Sequence, residues 1–378
     1  MYRSQPIVVQ LTPPGRGAVA TLSVEGRGAM AAVQARFRAA GGRPLEDCPA
    51  DRLVFGRLGG DRGEEVVVRV RSDRAVEIHC HAGQAAPTLV RDLLLAEGCR
   101  PATWRERTIA AEADPLRAAA LIALADARTE RTAAILLDQY HGALGRAVDA
   151  IRESILSGDT ALARRQVEAL LARARLGRHL VEPWQVVVAG PPNVGKSSLI
   201  NALVGYRRAI VDRSAGTTRD VVTATTAVDG WPVEFSDTAG LCESEEPLEK
   251  AGMALAEQKV AAAELIVLVF DAGQPWTPDQ QALWQRWPNA VVVHNKSDLA
   301  GNLGKGRPDG VLASALSGAG IDSVLRSVAM RLVPESPPAG APVPFTVAQI
   351  ERLEGLAAAL SGQDWRAILG ILGGFGKI

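Results

Sequence analysis

The chain has 378 residues, enough for about two to three domains, and its 42 basic and 42 acidic side chains cancel. That balance excludes a global field drawing the molecule onto nucleic acid or an anionic membrane, so any RNA contact has to be local. Cys48, Cys80, Cys99 and Cys242 show no C-x-x-C spacing, which argues against a disulfide framework or a zinc site and suits a reducing compartment.

No signal peptide and no apolar run long enough to cross a bilayer is legible, so the expected location is cytoplasmic with no membrane partner. Residues 1–112 read as a small α+β domain. Pro6 to Gln10 and Ala18 to Val24 read as strands around the turn Thr12-Pro13-Pro14-Gly15-Arg16-Gly17, and a helix is expected near Gly28 to Ala40. Glu65 to Val70 and Ala75 to His79 read as a hairpin through Ser72-Asp73, with a helix over Pro87 to Glu97. His79-Cys80-His81 invites a metal reading, but on a strand the two histidines share one face and the cysteine takes the other, and a usable site needs three or four convergent ligands.

From Pro115 to Arg178, Leu116, Ala120, Leu121 and Leu124 recur at helical spacing, and long helices are the simple expectation. Arg164, Arg165, Arg173, Arg175 and Arg178 form an arginine-rich face. Without interleaved aromatics it reads as a solvated helix surface ahead of an RNA platform. After Pro183 strands and helices alternate to about Val333, the pattern of an α/β nucleotide-binding domain. Strands are expected at Val186 to Ala189, Val221 to Val228, Val233 to Asp237, Leu265 to Phe270, Ala290 to His294 and Val311 to Ala313. Asp229-Gly230 is a hairpin signal, so one antiparallel edge pair should join an otherwise parallel sheet. A proline-rich linker from Pro334 to Pro344 precedes helical spacing from Ala348 to Leu372. The expected fold class is therefore multidomain α/β. The domain of 183–333 is inserted in a discontinuous helical domain of 113–182 and 334–378, beside the domain of 1–112.

The chemistry concentrates in Gly190-Pro-Pro-Asn193-Val194-Gly195-Lys196-Ser197-Ser198, which fits G-x-x-x-x-G-K-[ST] between a β-branched run and an amphipathic one. Its glycines let N–H groups approach phosphates, Lys196 supplies a point charge, and Ser197 offers a hydroxyl to Mg²⁺. The bland alternative, a glycine-rich turn that binds nothing, does not explain that context. Only six lysines occur in the chain, and those at 196 and 296 lie in motifs where an arginine fork would not fit.

Downstream motifs select GTP. Asp237-Thr238-Ala239-Gly240 closes a strand, where Asp237 can hold Mg²⁺ through water and the Gly240 N–H can meet the γ-phosphate. In Asn295-Lys296-Ser297-Asp298 the carboxylate can accept from guanine N1–H and the exocyclic amine together, while Asn295 and the Lys296 stem support the base. Ser314-Ala315-Leu316 completes the base pocket. Thr217 and Thr218 lie where a switch segment contacts nucleotide, with Thr218 the expected Mg²⁺ ligand. Leu241 cannot orient water, which leaves the acidic segment Glu243, Glu245, Glu246 and Glu249 to do so, or to be a solvated acidic loop.

With Gly190 to Ser197, Gly216-Thr-Thr-Arg-Asp220 and Asp237-Thr-Ala-Gly-Leu241 in view, the chain resembles the TrmE/MnmE family of tRNA-modification GTPases. The likeness extends to Thr12-Pro-Pro-Gly-Arg-Gly17. The resemblance implies a homodimer whose two GTPase domains meet across bound nucleotide, with K⁺ in place of an arginine finger. It implies that Asn193 and carbonyls around Asp212 to Ser214 hold the K⁺. It places the catalytic glutamate at Glu249, beside Lys196 and Gly240, and implies a flavin-dependent partner protein in wobble-uridine modification. Departures accompany the likeness. The family's tail is Cys-Ile-Gly-Lys, whereas here it reads Phe375-Gly376-Lys377-Ile378 with no cysteine after Cys242. Where the family places an arginine for its 5-formyl-tetrahydrofolate donor, this chain has Ser23, which counts against folate binding. The alternative reading is a GTP-gated scaffold or regulator that has lost the modification chemistry.

Overall fold

The computed structural model describes residues 5–15, 17–205, 223–237, 263–299 and 306–375. Two compact units result, Met1–Ala113 and Asp114–Ile378. In the first, strands β1 (Ile7–Gln10), β2 (Val19–Glu25), β3 (Phe37–Ala39), β4 (Leu53–Leu58), β5 (Glu64–Ser72), β6 (Ala75–His81) and β7 (Arg100–Pro101) form one sheet. Its order is β3-β4-β5-β6-β2-β1-β7. Helices α1 (Ala29–Arg36) and α2 (Ala85–Ala96) pack on it, and α3 (Trp104–Ala111) follows. Alternation decides which face is covered: Val66, Val68 and Val70 on β5 and Val76, Ile78 and Cys80 on β6 meet Val33, Val90 and Leu94 of the helices.

The helix expected over 28–40 stops at Arg36, because Phe37 turns into β3 and pairs with Leu58. His79 and His81 do share the face opposite Cys80. His79 Nδ1 meets Thr21 Oγ1 at 3.0 Å, and His81 Nδ1 meets Glu64 Oε1 at 2.5 Å. Burial, with Glu64 close by, pushes the Cys80 thiol up to about 11, and burial beside Glu97 does the same to Cys99, so neither supplies a thiolate near neutral pH.

The second unit opens with α4 (Pro115–Asp126), α5 (Glu130–Tyr140), α6 (Ala143–Leu156), α7 (Thr160–Leu171) and α8 (Ala174–Arg178). The long helices expected here are five short ones. Three of them start on side chains that bond backbone N–H groups: Asp114, Thr129 and Asp159 accept from the first turns of α4, α5 and α7, while α6 starts after Gly142 at φ 89°. The arginine face is not simply solvated. Arg164 and Arg152 donate at 3.4 Å to the Leu360 and Leu372 carbonyls, and Arg173 donates at 3.1 Å to Pro342. The first two lie at the carboxyl ends of the final helices α12 (Val347–Gly362) and α13 (Trp365–Gly373), where a cation is favoured by the negative end of the helix. Buried Gln139 also reaches this tail, donating to Ala341 O at 3.0 Å and accepting from Val343 N at 3.1 Å.

Between these helical segments lie β8 (Trp184–Ala189), α9 (Lys196–Gly205), β9 (Thr223–Val228), β10 (Trp231–Asp237), β11 (Leu265–Asp271), α10 (Pro278–Arg286), β12 (Val291–Asn295), β13 (Val311–Leu312) and α11 (Ile321–Leu332). The sheet order is β13-β12-β11-β8-β10-β9, and only β9 pairs antiparallel, through the hairpin at Asp229-Gly230. Both faces are covered. One belongs to the main core of α9 and α11, and on the other Leu268 and Phe270 meet Trp276, Trp284 and Trp287. Near-continuous apolar strands such as Leu265–Asp271 follow from burial on two sides. The hairpin tip is held by α5: Thr129 Oγ1 donates to Gly230 O at 2.6 Å, and Arg131 pairs with Asp229 at 3.0 Å. Among the described residues no helix is long and apolar enough to cross a membrane.

Candidate functional site: a guanine nucleotide cradle

Parallel strands direct their carboxyl ends to one edge, and the motif residues collect there. β8 ends at Ala189 and delivers the phosphate loop, β10 ends at Asp237, β12 ends at Asn295, and β13 leads to Ser314-Ala315. The glycines at 190 and 195 answer to close approach. A Cβ at Gly190 would strike the Val269 carbonyl, and one at Gly195 (φ 89°) would lie 2.6 Å from Asn295 Nδ2. Between them Asn193 takes φ 63°, a left-handed conformation that asparagine tolerates.

Lys196 is 7% exposed, and its Nζ donates back to the Gly190 and Pro191 carbonyls at 3.1 and 3.0 Å. The ammonium thus sits inside the loop whose N–H groups would face phosphate, opening the first turn of α9. Ser197 Oγ donates to Asp237 Oδ2 at 2.5 Å. Two hard oxygens, one hydroxyl and one buried carboxylate, therefore converge beside the loop, a donor set that fits Mg²⁺. Val194 is buried beneath the loop, and Ser198 is exposed on the first turn of α9.

Buried Asn295 joins three segments. Its Nδ2 donates to Val194 O at 2.8 Å, and its Oδ1 accepts from Ala315 N at 3.0 Å, tying phosphate loop, base motif and final loop together. Lys296, at φ 62°, donates from Nζ to Asn193 O at 2.7 Å and to Asp271 Oδ2 at 2.8 Å. Asp298 is exposed at the rim. Ser314 is fully buried, and its Oγ accepts from Ser317 N at 3.1 Å, fixing the loop that presents Ala315. A base edge entering beside Asp298 would therefore meet a carboxylate on a scaffold already locked to the phosphate loop.

Residues 185–296 match the family model described as a 50S ribosome-binding GTPase. The tRNA modification GTPase MnmE of Geobacillus thermodenitrificans is 33% identical over 370 residues, spanning 84% of this chain and 80% of that one. The chain belongs to the MnmE family of tRNA modification GTPases. The MnmE of a Synechococcus species is 31% identical over 365 residues, spanning 84% of this chain and 79% of its own. Among solved structures, an Aquifex aeolicus Era variant bound to GDP and aluminium fluoride is 27% identical, with a TM-score of 0.31, over 45% of this chain and 66% of that one. As an MnmE family member with a GTPase domain, the chain is a GTP hydrolase.

Of the residues expected to serve the site, the structure brings together Asn193, Val194, Gly195, Lys196, Ser197, Ser198, Asp237, Asn295, Lys296, Asp298, Ser314 and Ala315. Asp212, Ser214, Thr217, Thr218, Gly240 and Glu249 lie outside the described residues. Sequence reasoning missed Asp271. Its one signal was a carboxylate closing a buried parallel strand, Leu265-Ile-Val-Leu-Val-Phe-Asp271.

Proposed function

We propose that this chain hydrolyses GTP by cation-assisted dimerisation in tRNA wobble-uridine modification, working with a flavin-dependent partner protein. The GTPase domain of 183–333 is then an insertion between helical segments 113–182 and 334–378, a reading supported by the hydrogen bonds from Gln139, Arg152, Arg164 and Arg173 to the tail. The domain of 1–112 takes the dimerising role.

One observation carries the cation reading. Asn193 is exposed in a left-handed turn of the phosphate loop while its carbonyl is already taken by Lys296, so its side chain is free to face a partner surface. In the proposed scheme Lys196 leaves the Gly190 and Pro191 carbonyls for phosphate oxygens, and the Gly240 N–H meets the γ-phosphate. Ser197, Thr218 and Asp237 would hold Mg²⁺, which neutralises phosphate charge when bound. Asn193 with carbonyls around Asp212 to Ser214 would hold K⁺ near the β–γ bridge. Glu249, acting through a water, orients the nucleophile.

The test is GTP hydrolysis in K⁺ against Na⁺ buffer at matched ionic strength. Wild type should be stimulated about tenfold or more by K⁺, and Asn193→Ala should lose the difference. Equal rates in both salts for wild type would reject the cation-assisted mechanism.

A second reading, a GTP-gated scaffold without folate-dependent chemistry, is favoured by the surroundings of Ser23. Ser23 is buried and donates to Glu25 at 2.7 Å, and Glu25 is paired with Arg107 at 2.6 Å, so a carboxylate stands beside the position where the family places an arginine for its folate donor. Binding of labelled 5-formyl-tetrahydrofolate at micromolar concentration would reject this second reading; no binding at millimolar concentration is its expected result.

A further inference from the structure

We propose that Asp271 and Arg307 are positioning residues for guanine nucleotide binding: the Asp271 carboxylate aims Lys296 across the base site, and Arg307 holds the strand end that carries Asp271. The proposal deepens the GTP reading of this cradle and rests on it.

Lys296 adopts a backbone conformation that costs a β-carbon-bearing residue about 1 kcal/mol or more, so something must hold it there. Two acceptors do. The Asn193 carbonyl lies 2.7 Å from Nζ, and Asp271 Oδ2 lies 2.8 Å from it on the other side. An ammonium fixed at two points leaves its four-carbon stem in one orientation, and that stem is the surface on which the guanine ring is laid. Without the carboxylate, a long lysine side chain regains its rotamers, and ordering them again is charged to nucleotide binding.

Asp271 is itself held. It is 8% exposed, and its Oδ1 accepts from the Gly273 N–H at 2.9 Å, leaving Oδ2 for Lys296. Arg307 approaches from the far side of the strand end. Its Nη1 donates to the Asp271 carbonyl at 3.1 Å, while Nη2 donates to the Ala272 carbonyl at 3.5 Å and to the Gln274 carbonyl. One guanidinium therefore gathers three backbone carbonyls within four residues at the end of β11, the kind of forked contact that lysine could not reproduce. His294, the residue of β12 next to Asn295, completes the support. Its Nε2 faces Pro308 O at 3.1 Å and its Nδ1 faces Arg307 at 3.4 Å, so these partners assign the proton to Nε2. Burial holds the His294 pKa below its ordinary value, which keeps a neutral acceptor beside the guanidinium.

Affinity for fluorescently labelled GDP and steady-state GTP hydrolysis, measured on the full chain, test the relay. The variants are Asp271→Ala, Asp271→Asn, Arg307→Ala, Lys296→Ala and Asp271→Ala combined with Lys296→Ala. Asp271→Ala should weaken GDP binding about tenfold and raise KM to match, with kcat at saturating GTP within about twofold. Asp271→Asn keeps an acceptor oxygen and should recover part of the loss. Arg307→Ala should move KM in the same direction by about threefold. On top of Lys296→Ala, Asp271→Ala should cost less than about twofold, because its target is gone. An equal loss in both backgrounds, or a fall in kcat with KM unchanged, would overturn the proposal while leaving the GTP reading intact. Failure of wild type to bind labelled GDP in the same titration would overturn both. Should Asp271→Ala not fold, Asp271→Asn alone and combined with Lys296→Ala gives the same comparison.

Discussion

Lys196→Ala is expected to lower GTP hydrolysis by about 10²–10³-fold, the loss typical of removing one preorganised charge from a transition state. Lys196 is held inside the phosphate loop by the Gly190 and Pro191 carbonyls, 3.1 and 3.0 Å from Nζ. Those acceptors are weaker than a triphosphate, so in the proposed scheme the ammonium need only exchange partners when the nucleotide binds. The apo fold should survive. The substitution removes a buried cation, whose desolvation is unfavourable, and leaves two carbonyls facing the open loop. Single-turnover hydrolysis together with thermal unfolding of the nucleotide-free protein separates the two effects. Lys196→Arg should not rescue, since a planar fork cannot occupy a position built for a point donor. A rate within threefold of wild type for Lys196→Ala would remove the residue from the catalytic role.

The second large effect is on specificity. Asp298→Asn should reduce the preference for guanine by about 10² or more, because a site built to pair a substrate's N–H groups loses its acceptor. Asp298 is exposed at the rim, so the change should leave stability within about 0.5 kcal/mol. The new amide can donate where the carboxylate accepted, and xanthine offers a carbonyl at the position of guanine's exocyclic amine. Competition between GDP and XDP for the same labelled nucleotide should therefore shift toward XDP. Unaltered discrimination would undo the assignment of the base pocket. Both results read the same scaffold from opposite ends: in the proposed scheme Lys196 serves the phosphates and Asp298 the base, and buried Asn295 links the two loops by bonding Val194 O and Ala315 N.

Much of this domain was legible because its signals are local. Gly190 and Gly195 flank a turn between a β-branched strand and an amphipathic helix, and Asp229-Gly230 dictates a hairpin through its backbone preferences alone. The motif order also implied that ligands gather at strand ends, since parallel strands in an α/β sheet share one carboxyl edge. By itself, then, the sequence determined a phosphate loop, a guanine motif, the α/β alternation between them and the family resemblance that the 33% identity bears out.

Other features depended on partners distant in the chain. Phe37 leaves the helical pattern because Leu58 is there to pair with it, and β4 escaped notice because Leu53, Val54 and Phe55 are apolar on both faces. The arginines at 164 and 173 read as a solvated face until the Leu360 and Pro342 carbonyls were brought beside them. Asp271 lies 25 residues before Lys296 and Arg307 lies 36 after the Asp271 carbonyl it holds, so no spacing rule connects them. Tertiary structure alone decided these pairings. Hydrogen bonds and charge contacts act only over a few ångströms, and it is the sheet order β12-β11-β8, not the order of the chain, that sets which side chains come that close.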